Sequence, residues 1–117
     1  DGINWKKDGT ICIDFKSKYE YAISQPWVIK EKGIYKMWYS YRAQKNIKTY
    51  RIGYAESKNG INWKRLDNKV GIDVSKKGWD SKMICYPSIY NINGNRIMFY
   101  NGNEYGKSGI GMAILKK

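Results

Sequence analysis

Three features of the 117-residue sequence predict an all-β chain of β-propeller blades, each a four-stranded antiparallel meander. They are a repeated unit, strand-period alternation with no run of helical period, and glycine and aromatic markers recurring in each unit. Asp1-Gly2-Ile3-Asn4-Trp5-Lys6 returns as Asn59-Gly60-Ile61-Asn62-Trp63-Lys64, an offset of 58. Gln25-Pro26-Trp27-Val28-Ile29 has its counterpart in Tyr86-Pro87-Ser88-Ile89-Tyr90, and Gly33 to Ser40 in Gly94 to Asn101, both at an offset of 61. Arg51-Ile52-Gly53-Tyr54-Ala55 recurs as Gly109-Ile110-Gly111-Met112-Ala113, again at 58, so the three-residue difference is a loop insertion.

Each unit begins with a strand after its proline, Pro26 to Ile29 or Pro87 to Tyr90. A hairpin carrying Lys32-Gly33 or Asn93-Gly94 leads to strand two, Ile34 to Ser40 or Arg96 to Asn101, because Gly supplies the positive φ that tight hairpins need. Strand three is Tyr50 to Ala55 or Gly109 to Leu115. The turn Ser57-Lys58-Asn59-Gly60 leads to strand four at Ile61 to Arg65, whose earlier copy is Ile3 to Lys7, with Trp5 and Trp63 as packing residues. The organisation expected is a single propeller segment over 1–117: an outer strand of a preceding blade at 1–7, a blade at 24–65, and a blade at 85–117 that lacks or shares its outer strand. A closed propeller takes about 4–8 blades. Two cannot close a ring, so the chain is expected either to be a portion of a longer protein or to assemble with copies of itself, strand four at Ile3 to Lys7 pairing across the boundary.

Composition narrows the function. Zero His excludes histidine-based triads and the common His-containing zinc sites, and no metal or cofactor is expected. No stretch approaches the roughly 18 apolar residues of a membrane helix, and the first residues have neither a basic leader nor an apolar core, so neither a membrane partner nor a targeting segment is expected. Cys12 and Cys85 read as free, largely buried thiols, which leans toward a cytoplasmic location. With 22 Lys+Arg against 10 Asp+Glu, the formal net charge is +12, spread without a dense block. That charge implies either a solvated lysine-rich surface or an acidic polymer partner. No nucleic-acid module pattern accompanies the interleaved lysines and tyrosines, so nucleic acid is not the expected partner. Gly102 to Ser108 has the look of a phosphate loop but joins two strands, with no helix to hold phosphate.

The proline-led inner strand, Gly-x-Tyr-x-Met-x-Tyr, Ile-Gly-x-Ala and Ser-x-Asn-Gly-x-x-Trp together resemble the blades of the five-bladed propellers of glycoside hydrolase families 32, 43 and 68 and their bacterial relatives. More closely, Ile34 to Arg42, Tyr50 to Ser57 and Gly78 to Pro87 are similar to a bacterial glycosyl-hydrolase subgroup often encoded beside surface-polysaccharide genes. The resemblance covers nearly the whole chain and implies a glycan or polysaccharide substrate. Relatives often carry an acid where this chain has Lys82 and an arginine where it has Gln25. Both departures count against an intact hydrolase site.

Topology places any site. In an antiparallel meander the start of strand one, the end of strand two and the start of strand three share one edge, to which the long aromatic and polar connections also belong: Glu20 to Gln25, Tyr39 to Thr49, Asp73 to Tyr86 and Asn101 to Ser108. Loops on a rigid scaffold are where binding usually resides. Glycoside hydrolysis needs two carboxyl groups flanking the bond. The carboxylates on this edge are Glu20, Asp73, Asp80 and Glu104, of which Asp80, Glu104 and Glu20 are the expected catalytic candidates, while Glu56 leads into the opposite edge. Expected substrate-binding residues are Gln25, Tyr41, Arg42, Trp79, Tyr86, Asn101, Asn103 and Tyr105. Alternation puts Tyr35, Met37 and Tyr39 on one face of strand two and Lys36, Trp38 and Ser40 on the other, so most remaining aromatics are expected between blades. Two functions follow: a carbohydrate-active propeller that binds and hydrolyses a glycan at the loop edge, or a non-catalytic glycan-binding or oligomeric assembly module.

Overall fold

A repeated bulge sets the geometry of both halves of the chain. The computed structural model describes residues 2–42 and 44–116. Strands β1 (Ala22–Glu31), β2 (Ile34–Arg42), β3 (Arg51–Ser57) and β4 (Lys64–Arg65) form one sheet in that order, and β5 (Cys85–Ile92), β6 (Asn95–Asn101) and β7 (Ile110–Ile114) form a second. Every pairing is antiparallel. In β1 the register jumps from Ser24↔Ser40 to Trp27↔Trp38, so Gln25 and Pro26 together oppose one residue. The jump from Cys85↔Asn101 to Ser88↔Phe99 does the same with Tyr86 and Pro87. Proline has no N–H to lose from a ladder, which is why a bulge accommodates it. The hairpins have left-handed φ at both central residues, 48° and 80° at Lys32-Gly33 and 49° and 77° at Asn93-Gly94. This is the type I′ turn whose twist matches the flanking strands.

Side-chain alternation divides the first sheet as expected. Trp38, Ile52 and Tyr54 face the second sheet and pack with Ile84, Ile89, Met98 and Tyr100. The connection after β4 closes this layer with Leu66, Val70, Ile72 and Val74. The Trp27 indole N–H crosses the layer to the Ile89 carbonyl at 2.9 Å. On the opposite face Met37, Tyr39, Tyr41 and Ala55 lie under Trp63, Ile13 and Ile23. Glycine at the second position of Ile-Gly-x-Ala serves close approach: a Cβ on Gly53 would meet the Tyr39 ring at 2.5 Å, and one on Gly111 would meet the Trp79 indole at 2.1 Å.

Strand four is shorter than the expected Ile61 to Arg65, with ladder pairing only at Lys64 and Arg65. The preceding residues spend their N–H groups locally. The Gly60 N–H donates to Ser57 Oγ at 2.9 Å, and the Ile61 and Asn62 N–H groups donate to Asn59 Oδ1 at 3.0 and 2.9 Å. Side-chain turns of this kind compete with a ladder. Residues 2–21 contain no strand among the described residues, so the strand expected at Ile3 to Lys7 does not form within this chain. Cys12 is exposed, against expectation, because this segment lies outside the sheets. Cys85 is fully buried, and burial pushes its thiol up to about 11.

An ion triad bridges the sheets on the turn edge. Glu31, at the end of β1, accepts hydrogen bonds from Arg96 of β6 and from Lys36 of β2. The Arg96 bonds, then those of Lys36, hold the Glu31 carboxyl down from 4.5 to about 2. A carboxylate whose folded pKa is depressed stabilises fully above its unfolded pKa and loses that contribution as pH falls through the folded one. The window here runs from about 4.5 down to about 2. Glu31→Gln is therefore expected to flatten the acid limb of stability against pH, read as urea midpoints at about pH 3 and about pH 6. An equally steep limb in the variant would contradict this origin.

Candidate functional site

Strand register brings the predicted connections to one edge. Ala22↔Arg42 and Tyr41↔Arg51 close one end of the first sheet, and Cys85↔Asn101 and Asn101↔Ile110 the matching end of the second. Among the described residues six non-glycine positions have left-handed φ. Lys32 and Asn93 are hairpin residues, and the other four are Gln25, Tyr86, Glu104 and Tyr105, all on the loop edge. Such backbone strain persists where surrounding structure enforces it, and it clusters at binding sites.

The edge is built around Arg42, the last residue of β2. Its guanidinium lies 5.4 Å from the centre of the Tyr21 ring, 5.1 Å from Tyr50 and 5.8 Å from Tyr105. Tyr86 completes the collar, stacked on Tyr105 at 6.4 Å and 26° and tilted against Tyr50 at 5.9 Å. Arg42 Nε donates to the Lys48 carbonyl at 3.0 Å, which fixes the guanidinium against the loop that follows β2. Burial, with Cys85, Tyr50 and Tyr105 acting in the same direction, raises the Tyr86 hydroxyl above the ordinary phenol range, so it is a neutral donor near neutrality. Five segments from both sheets thus supply one cluster of four rings and a cation. Sequence reasoning identified Arg42, Tyr86 and Tyr105 but missed Tyr21 and Tyr50. Those two immediately precede β1 and β3, and that shared position was the available signal.

The connections beneath the cluster are tied together. Thr49 Oγ1 donates to the Lys82 carbonyl at 2.7 Å, as does Arg51 at 3.0 Å. The Asn103 amide oxygen accepts from the Lys82 and Met83 N–H groups at 2.8 and 3.1 Å, and its nitrogen donates to the Gly78 carbonyl. Asn103 is thereby a clamp of the 78–83 loop, and Asn101 holds the Tyr105 carbonyl at 3.2 Å. Trp79 lies over Gly102 and Gly111 and 5.4 Å from the Tyr100 ring, covering the second sheet. Tyr41 lies outside the cluster: it is buried with Tyr39 on the other face and accepts from Gln44 at 2.6 Å. Gln25 is exposed at its bulge.

The carboxylates have separate engagements. Glu20 is buried and ion-paired with Arg65 at 2.7 Å, and it also accepts the Lys16 N–H. Buried Asp80 accepts the Tyr100 hydroxyl at 2.9 Å; burial first, then that bond, pushes Tyr100 up to about 12. Glu104 pairs with Lys107 at 3.1 Å in the open, and Asp73 with Arg51 at 3.1 Å. Glu56 takes the Tyr54 hydroxyl at 2.7 Å, facing a cleft of about 330 Å³ between the sheets on the turn side. The cleft walls include Trp38, Ile89 and Met98, so it continues the inter-sheet packing.

Comparisons with known proteins agree with this architecture. A solved glycoside hydrolase superposes with a TM-score of 0.75 at 17% identity, over 97% of this chain and 32% of its own. The BT0996 RGII complex gives the same TM-score, 0.75, at 17% identity, over 96% of this chain and 32% of that one. The Cellvibrio cellulosa α-L-arabinanase complexed with arabinohexaose gives 0.52 at 19% identity, over 80% of this chain and 32% of that one. In sequence, an uncharacterized protein of Mycobacterium tuberculosis H37Rv is 40% identical over 116 residues, 99% of this chain. The chain spans 38% of the length of that relative. It matches no protein-family model. The sheets are blades of the β-propeller fold of glycoside hydrolases. Among the described residues no helix is long and apolar enough to cross a membrane.

Proposed function

We propose that the chain is part of a carbohydrate-active propeller related to glycoside hydrolase families 32, 43 and 68, and that its loop edge binds a glycan. The observation that carries this is the cluster of Tyr21, Tyr50, Tyr86 and Tyr105 around Arg42, with Tyr86 and Tyr105 at left-handed φ. Sugars stack their C–H faces on such rings while their hydroxyls bond the polar tips, and a pre-ordered site loses little entropy on binding. Gln25, exposed at its bulge, supplies a further polar group to the same edge, while Asn101 and Asn103 hold the loops that carry the rings. Hydrolysis requires two carboxyl groups across one bond. Glu20 and Asp80 are buried against Arg65 and Tyr100, and Glu104 stands in the open beside Lys107, so this chain contributes binding and at most one acid, and acids from further blades would complete a catalytic pair. The two free thiols fit a cytoplasmic setting.

The reading is tested by titrating the chain calorimetrically with arabinohexaose and with trigalacturonate. At least one is expected to bind, and Tyr105→Ala to weaken it about tenfold, the worth of one aromatic contact. Failure of both sugars to bind at millimolar concentration, or binding indifferent to Tyr105→Ala, would overturn it.

Assembly is supported by a separate observation. Ile110, Met112 and Ile114 of β7 are 73%, 55% and 54% exposed. In the repeat Ile110 and Met112 correspond to Ile52 and Tyr54, which in the first sheet take the neighbouring blade. Trp5 is 81% exposed, yet its indole donates to the Gly2 carbonyl at 3.1 Å as Trp63 does to Gly60 at 3.0 Å. These observations support the reading in which 1–7 is the outer strand of a preceding blade, 24–65 is one blade and 85–117 is a second that lacks or shares its outer strand, with further blades, from a longer polypeptide or from copies of this chain closing a ring, covering the β7 face.

A further inference from the structure

We infer that the tyrosine collar selects an anionic sugar, its carboxylate held by the Arg42 guanidinium. This deepens the glycan-binding reading and rests on it. The sequence contains four arginines. Arg51 is paired with Asp73, Arg65 with Glu20 and Asp67, and Arg96 with Glu31. Among the described residues Arg42 alone of the four has no carboxylate partner; its contacts are the Lys48 carbonyl and the tyrosine rings. The two carboxylates adjacent in sequence to the collar, Glu20 and Glu104, are paired with Arg65 and Lys107.

A guanidinium held among rings keeps its charge and is more weakly hydrated than an ammonium, so it gives up little water to a ligand. Its fork matches a carboxylate in two parallel hydrogen bonds. Two of the collar's rings face solvent: Tyr21 and Tyr105 are 55% and 47% exposed. A uronic-acid residue carries both features, a C–H face for the exposed tyrosine rings and a carboxylate one bond off the ring for Arg42. The surrounding field acts in the same direction. Lys45, Lys48 and Lys82 are exposed on the adjoining connections, and the chain carries a net +12. Such a field raises the local concentration of an acidic polymer and its association rate.

The test compares trigalacturonate with its fully methyl-esterified form, which has the same rings and no charge. The free acid is expected to bind at least about tenfold more tightly, the scale of a charge-assisted hydrogen-bond pair. Arg42→Gln should reduce trigalacturonate affinity to the level of the ester, and Arg42→Lys should recover only part. The ester comparison needs no variant, so a folding defect at position 42 cannot obscure the outcome. Equal binding of acid and ester, both weakened by Tyr105→Ala, would overturn the anionic selectivity and leave the glycan site standing. Binding of neither would likewise overturn the anionic selectivity, and would overturn the site itself if arabinohexaose also fails to bind.

Discussion

Arg65→Met is expected to lower the free energy of unfolding by about 3–5 kcal/mol, the cost of stranding buried carboxylates without their cation. Arg65 follows the outer-strand tryptophan and bonds Glu20 at 2.7 and 3.1 Å and Asp67 at 2.7 and 3.2 Å. The side chains of Arg65, Glu20 and Asp67 are 11%, 5% and 12% exposed. Burial disfavours the guanidinium's charge, but the Glu20 bonds, the neighbouring Tyr39 and the Asp67 carboxylate outweigh it and hold its pKa above the ordinary value. Asp67 also accepts the Tyr39 hydroxyl and the Tyr54 N–H, so removing Arg65 disturbs the sheet it caps. The triple variant Arg65→Met, Glu20→Gln, Asp67→Asn should cost less than the single change, because it leaves no unpaired charge. Urea unfolding of the variants measures this. A loss under about 1 kcal/mol for Arg65→Met would place the network among solvent-screened surface pairs.

Ile84→Ala is expected to cost about 2–5 kcal/mol, the range for emptying a fully buried aliphatic site. Ile84 is 0% exposed, stands just before β5, and packs where Trp38, Ile52 and Tyr54 of the first sheet meet Ile89, Met98 and Tyr100 of the second. Its N–H donates to the Tyr50 carbonyl at 3.3 Å, joining the sheets by backbone as well. The cavity therefore falls between the sheets, and both should unfold in one transition at lower denaturant. Two separated transitions, or a loss below about 1 kcal/mol, would contradict a shared core.

The fold was legible because its signals are periodic. Gln25-Pro26 and Tyr86-Pro87 recur in the repeat and become the same bulge, and Gly53 and Gly111 recur and both admit an aromatic ring. Alternation along β2 sorted Met37 and Tyr39 from Trp38 and Ser40, and it also places Tyr41 with the first pair; proximity to the loops outweighed that parity in the sequence reading. Strand four was overextended because Ser57 and Asn59 side chains divert backbone donors, a competition that apolar spacing does not reveal. The Arg65 network joins residues 45 apart, with no local signature. The collar was half legible: Tyr86 and Tyr105 sit at recognisable loop positions, whereas Tyr21 and Tyr50 reach Arg42 only through the register that aligns the starts of β1 and β3 with the end of β2.

The central claim, that the loop edge is the ligand-binding face, is tested most directly by mapping backbone amide shifts of the labelled chain as trigalacturonate is added. Perturbations concentrated at Tyr21, Arg42, Tyr50, Tyr86 and Tyr105 are the expected result. Shifts confined to the turn edge, at Glu31, Glu56 and Arg96, would contradict it.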